Sequence, residues 1–173
     1  MSNEREYTCC FTGHRAEKLP WGLREEDPRC LALKRLIADV LYNVYDSGWR
    51  HFLCGMATGA DMYFGEAVTS LREERPGVTL EAAIPYDGQE KNWSAPLRAR
   101  YERLVEAFDI VTVLRSGYAP GCMMARNRYM VDRSSLLIAA FDGKPGGTLN
   151  TQRYAESRGL TIIQLPVTGL PEI

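Results

Sequence analysis

The 173-residue chain is short of net charge, of histidine, of lysine and of long apolar runs. Its 21 Lys and Arg nearly balance 22 Asp and Glu, leaving a formal charge of −1. Such a chain has no global positive field with which to hold nucleic acid by counterion release, so nucleic acid is not the expected main partner. The two histidines, His14 and His51, precede different elements at no metal-ligand spacing, which argues against a metal site. No stretch approaches the ~18 apolar residues of a membrane span, and the opening Met-Ser-Asn-Glu-Arg-Glu lacks the apolar core of a signal peptide. Together these absences predict a cytoplasmic protein with no membrane partner. The five cysteines, Cys9, Cys10, Cys30, Cys54 and Cys122, form an odd set without a C-x-x-C pair. Cys9 and Cys10 lie in an apolar run, as buried, reduced thiols would. Of the 21 basic residues 17 are Arg, which suits bidentate capture of phosphate or carboxylate, although composition bias accounts for the same excess.

What is present is alternation. Short β-rich runs at Tyr7 to Thr12, Trp49 to Cys54, Val78 to Ile84, Asp109 to Leu114, Leu136 to Phe141 and Thr161 to Leu165 are separated by helical patterns. Asp27-Pro28 supplies a cap and a first-turn proline for a helix carrying Leu33, Leu36, Ile37, Val40, Leu41 and Val44 on one face. Thr58 with Asp61 three residues on reads as a capping box for a second helix. Further helices are expected from Leu97 to Phe108, from Cys122 to Arg133 and after Gly146-Gly147-Thr148. The expected architecture is one α/β domain over residues 1–173, with a core at about 7–165 and a mainly parallel sheet of about six strands covered on both faces.

Ligands of open parallel sheets bind beyond the carboxyl ends of the strands, so the residues just after each run carry the chemistry. Gly13-His14-Arg15 follows the first run, Gly55 to Asp61 the second, Pro85-Tyr86-Asp87 the third, Gly117-Tyr118 the fourth, and Asp142 to Thr148 the fifth. Glycine-rich loops that open helices offer backbone N–H groups and a helix dipole to an anion, and at any one loop a tight turn is explanation enough. Neither G-x-G-x-x-G nor the Gly-Lys-Ser/Thr ending of a P-loop is present, which removes the usual dehydrogenase and ATPase readings. Arg15 and Arg126 are the placed guanidinium candidates for a phosphate, against a surface pair or a solvated helix face. His14 is a candidate acid or base. Asp61 is a cap or a ribose ligand, Tyr86 and Trp93 are loop packing or base-stacking faces, and Asn127 on an apolar helix face needs a partner.

Four ordered segments carry a resemblance: Cys10-Phe11-Thr12-Gly13-His14-Arg15; Gly55-Met56-Ala57-Thr58-Gly59-Ala60-Asp61; Arg126-Asn127-Arg128-Tyr129-Met130-Val131-Asp132; and Gly146-Gly147-Thr148 with Tyr154-Ala155. In this order the chain resembles the YpsA family of the SLOG superfamily, relatives of the DNA-processing protein DprA and of the LOG phosphoribohydrolases. The resemblance implies a Rossmann-like three-layer α/β/α fold that binds a nucleotide, ADP-ribose or an NAD-related metabolite, as a sensor or regulatory module. Its ligand set would comprise Gly13, His14, Arg15, Gly55, Met56, Ala57, Thr58, Gly59, Asp61, Tyr86, Trp93, Arg126, Asn127, Gly146, Gly147 and Thr148. Family analogy extends to a homodimer. LOG enzymes cleave nucleoside monophosphates with an Arg-Lys pair and a Glu three residues after a Gly-Thr. Here Asn127 replaces the lysine and Thr151 the glutamate, which counts against hydrolysis. DprA binds single-stranded DNA through loops that Gly13 to Arg15 and Cys54 to Asp61 match, with His14 for serine.

Overall fold

The computed structural model describes residues 4–170. Six strands form one parallel sheet in the order β4-β3-β2-β1-β5-β6, where β1 is Thr8–Gly13, β2 His51–Cys54, β3 Thr79–Ile84, β4 Ile110–Val113, β5 Leu136–Ala140 and β6 Thr161–Leu165. The helices α1 (Pro28–Asp46), α2 (Ala60–Glu74) and α3 (Ala95–Glu106) pack on one face, and α4 (Cys122–Asp132) and α5 (Gly147–Ser157) on the other. This is a three-layer, Rossmann-like α/β fold. Strands β1 to β4 step outward in one direction, after which the chain returns to place β5 beside β1. The crossovers on the two sides of the β1/β5 boundary lead to opposite faces, so a crevice opens there at the carboxyl edge.

Strand alternation builds both cores. Cys9 and Phe11 point into the layer under α1 to α3, whereas Cys10 points under α4 and α5. Phe11 stacks on Phe64 of α2 at 4.5 Å between ring centroids, both fully buried. Burying each ring contributes about 1.5–3 kcal/mol. The five cysteines are all free and buried, and burial pushes the Cys10 thiol up to about 12, so they pack as small apolar groups. At α1, Asp27 accepts from the Arg29 N–H at 2.9 Å with Pro28 in the first turn, as expected. The capping box expected for α2 does not form. Gly59 is the residue before the helix, no side chain caps it, and Asp61 instead accepts from the Ala57 N–H at 3.0 Å. Asp61 therefore braces the loop that precedes the helix rather than the helix itself.

Glu81 is an acid inside the sheet, on the face that α4 only partly covers. His51, Thr112 and Tyr129 each hydrogen-bond its carboxylate at 2.9 Å. Burial pushes this carboxyl up, but the three bonds outweigh it and hold Glu81 below the usual carboxylate range. With the folded-state value depressed, its stabilisation is complete above the unfolded value and is lost as pH falls through the folded one. Glu81→Gln is therefore expected to cost about 1–3 kcal/mol at neutral pH, with the difference from wild type shrinking below about pH 4. Urea melts of both proteins at neutral and acid pH measure this.

Candidate functional site

The carboxyl ends of β1, β2 and β5 bring three of the sequence-selected segments to one crevice. Their loops are locked together by backbone: His14 donates its N–H to Ala140 O at 3.0 Å, and Ala60 donates to His14 O at 3.1 Å. That contact explains Gly59. It has φ +83°, and a Cβ there would lie 2.6 Å from Ala16 N, so only glycine admits the β1 and β2 loops at this spacing. Gly55 answers to a different neighbour. A Cβ at this position would sit 2.2 Å from Nη1 of Arg126, which occupies the space that a side chain would need.

Arg126 reaches this position from α4 and is only 4% exposed. Nη1 donates to Gly55 O at 2.7 Å and to Ala83 O at 3.4 Å, so the guanidinium ties α4 to the ends of β2 and β3. Nε donates to Asn127 Oδ1 at 2.8 Å, whereas Nη2 has only the Met123 sulfur, at 4.0 Å. Gln89, from the loop after β3, donates to Gly55 O and Met56 O and fixes the same turn. Within that turn Met56 takes φ +55°, a left-handed conformation rare for a residue with a side chain. Asp61 is 6% exposed on the same crevice but forms no ion pair with Arg126. Burial pushes its carboxyl up, and the nearby Arg126 and the Ala57 N–H pull it back only in part.

The crevice holds a cavity of about 120 Å³, lined by Gly13, His14, Arg15, Ala57, Asp61, Arg126, Asn127, Gly147 and Thr148 from the expected set. Gly55, Met56, Thr58 and Gly59 stand behind this lining as the scaffold of the β2 loop, and Gly146 precedes α5 at its edge. Tyr86 and Trp93 are not part of the cavity wall. Tyr86 meets Tyr118 edge to face at 5.6 Å, and Trp93 meets Tyr101 at 5.4 Å, so both rings pack against other aromatics.

Sequence reading missed Lys18, and it selected Asp142 only as part of the segment after the fifth run, without a partner. Lys18 lines the cavity, and its Nζ would be 3.1 Å from a Cβ at Gly146, which puts an ammonium at the start of α5. No side chain caps α5, and its first backbone bond runs from Asn150 N to Gly146 O, leaving the amides of residues 147–149 without helix partners. Asp142, after β5, lies 3.1 Å from Nε2 of His14, and its carboxyl is held below the usual range by the Lys144 N–H and by His14. The strand order brings Asp142 to His14, a pairing that no local pattern signals. Among the described residues no three His, Cys, Asp or Glu are grouped to hold a metal ion, and no helix is long and apolar enough to cross a membrane.

Asn127 and Thr151, the two departures from the hydrolase pattern, touch one another. Asn127 Nδ2 donates to Thr151 Oγ1 at 2.8 Å, and Thr151 Oγ1 donates to Gly147 O at 2.9 Å. Thr151 is fully buried, so the pair pins the first turn of α5 to α4 with neutral groups.

The family model described as the YspA SLOG family, named YpsA, matches residues 9–165. The chain belongs to this family. It is 31% identical over 144 residues to the uncharacterized SPbeta prophage-derived protein YoqJ of Bacillus subtilis (strain 168), an alignment covering 76% of this chain and 84% of YoqJ. It is 27% identical over 141 residues to YpsA of the same strain, covering 80% of this chain and 77% of that protein. Among solved structures it is similar to DNA processing protein A (DprA) from Streptococcus pneumoniae, with a TM-score of 0.60 and 17% identity. That likeness covers 97% of this chain and 54% of the DprA chain, so the protein spans about half the length of DprA and shares its fold.

Gly55→Ala tests how tightly the site is assembled. The added methyl has to displace the Arg126 guanidinium from the Gly55 and Ala83 carbonyls, so a loss of about 1–3 kcal/mol in denaturant stability is expected. A loss below about 0.5 kcal/mol would show that the guanidinium is not held as described.

Proposed function

We propose that this YpsA-family protein binds a small phosphorylated nucleotide derivative, of the ADP-ribose or NAD-related kind, across the carboxyl edge of its sheet. It acts in the cytoplasm as a sensor or regulatory binding module. One observation carries the reading: Lys18 and Arg15 stand with the uncapped start of α5 around a single cavity. Cations beside the positive end of a helix dipole repel it, and an anion between them reverses the sign of both interactions. Neither side chain has a hydrogen-bond or ion-pair partner among the described residues, which leaves both available to a phosphate.

The cavity volume of about 120 Å³ is well below the roughly 300–1,000 Å³ of pockets that engulf a whole ligand. It suits the phosphate and sugar end of a nucleotide, with the base lying over the open rim. Hydrolysis of the glycosidic bond would need a carboxylate where Thr151 is spent on Gly147 and Asn127, which favours binding over cleavage. The near-neutral charge favours a mononucleotide over a DNA strand.

Thermal unfolding of the purified protein with ADP, ATP, NAD and ADP-ribose checks this, because a ligand of the native state raises its apparent stability. A saturable upward shift is expected for at least one of them, with no free base or nicotinamide released. Arg15→Ala and Lys18→Ala are each expected to weaken that ligand by roughly 10- to 100-fold. Affinity unchanged in both variants would place the phosphate elsewhere, and base release by the wild type would replace the binding reading with the hydrolytic one.

A further inference from the structure

The proposed phosphate site leaves two groups unused. Asp61 and Arg126 face the same cavity, each more than nine-tenths buried, carry opposite charges, and yet form no ion pair. Asp61 Oδ2 accepts from Ala57, whereas Oδ1 has no hydrogen-bond donor among the described residues. Nη2 of Arg126 has only a distant sulfur. Asp61 Oδ1 is not sealed from solvent, since among the described residues the buried polar side-chain atom without a partner is Gln152 Oε1, and Arg126 lines the same cavity. The Asp61 acceptor is therefore free for a group that enters the cavity, and Arg126 on the same wall has a nitrogen with no oxygen acceptor.

The group that fits between them must donate to Asp61 and accept from Arg126. A phosphate oxygen accepts but cannot donate, and the carboxylate repels it. An ammonium donates but cannot accept. A hydroxyl does both, whether of water or of a sugar, and only the sugar's is fixed there by the rest of a ligand. From this juxtaposition we infer that Asp61 and Arg126 form a sugar-hydroxyl subsite, so the ligand is a ribonucleotide derivative with its ribose hydroxyls free rather than a deoxynucleotide or DNA. The inference rests on the nucleotide reading above and narrows it, because phosphate goes to Arg15, Lys18 and the start of α5 while the sugar goes to the Asp61 side. Asp61 is then the residue that tells ribose from deoxyribose.

Titration calorimetry on the full chain with ADP, 2′-deoxy-ADP, 3′-deoxy-ADP and inorganic pyrophosphate tests it. ADP is expected to bind, with at least one deoxy analogue weaker by roughly tenfold or more and pyrophosphate weaker still. Asp61→Asn keeps an oxygen for the Ala57 N–H but replaces the open acceptor with a donor. It is expected to fold and to bind ADP and the deoxy analogues within about twofold of one another. Equal affinity of the wild type for ADP and both deoxy analogues overturns the sugar subsite while leaving nucleotide binding intact, as does an Asp61→Asn protein that still discriminates. Pyrophosphate binding as tightly as ADP also removes the sugar subsite and retains the phosphate one. Failure of all four probes overturns the sugar subsite as drawn, and the nucleotide reading falls with it when NAD and ADP-ribose also give no thermal shift.

Discussion

Most of the carboxyl edge depends on one buried cation. Arg126 enters from α4 and caps the carbonyls that end β2 and β3, and its guanidinium fills the volume beside residue 55 that any side chain would require. The glycine therefore exists for the arginine, and the turn that follows it exists for both. Gln89 holds the Gly55 carbonyl as well, together with that of Met56, and Met56 takes a left-handed conformation in the same turn. A guanidinium can do this where an ammonium cannot, since its planar fork satisfies several acceptors at once with little loss of side-chain freedom. Its remaining nitrogen, Nη2, has only the Met123 sulfur, and the residue lines the cavity.

This division separates cations that build from cations that bind. Arg126 is consumed largely by backbone, so its truncation would disturb the fold and the ligand site together. Arg15 and Lys18 bond no other side chain and stand at the rim, where their removal changes the field on a ligand with little effect on packing. Asn127 and Thr151 belong with the builders. A charged pair at these positions would leave a carboxylate beside the α5 amides and compete with a phosphate for them, whereas the neutral pair anchors α5 and leaves its amides to an anion.

The sheet was legible because its information is local. Each strand is an apolar run bounded by turn residues, and Asp27-Pro28 announces α1 through a cap and a fixed φ, both properties of neighbours in sequence. The glycine loops were legible as positions, but their reasons were not, because the partners of Gly55 and Gly59 are Arg126 and the backbone from His14 to Ala16. Asp61 shows the limit most clearly. Its spacing from Thr58 satisfies the capping rule, yet the close approach at Gly59 moves the helix start by one residue and turns the carboxylate back to Ala57. Lys18 carries no local signal and Asp142 is legible only as part of the segment after β5, and the return of the chain that places β5 beside β1 brings Asp142 to His14 and the start of α5 to Lys18.

That return also explains why the crevice has opposite electrostatic halves. From the β1 and β5 loops come Lys18, Arg15 and the start of α5, all positive toward the cavity. From the β2 loop comes Asp61, a carboxylate within the first turn of α2 with one oxygen left without a donor, and Arg126 lines the same cavity. A simple anion would be drawn to the first half and leave the Asp61 acceptor unmet, and a simple cation would meet Asp61 alone. A molecule with a phosphate at one end and hydroxyls a few ångströms away meets both halves with matching groups. The strand order, by setting loops of opposite character across one narrow gap, selects for a ligand that is itself divided in this way.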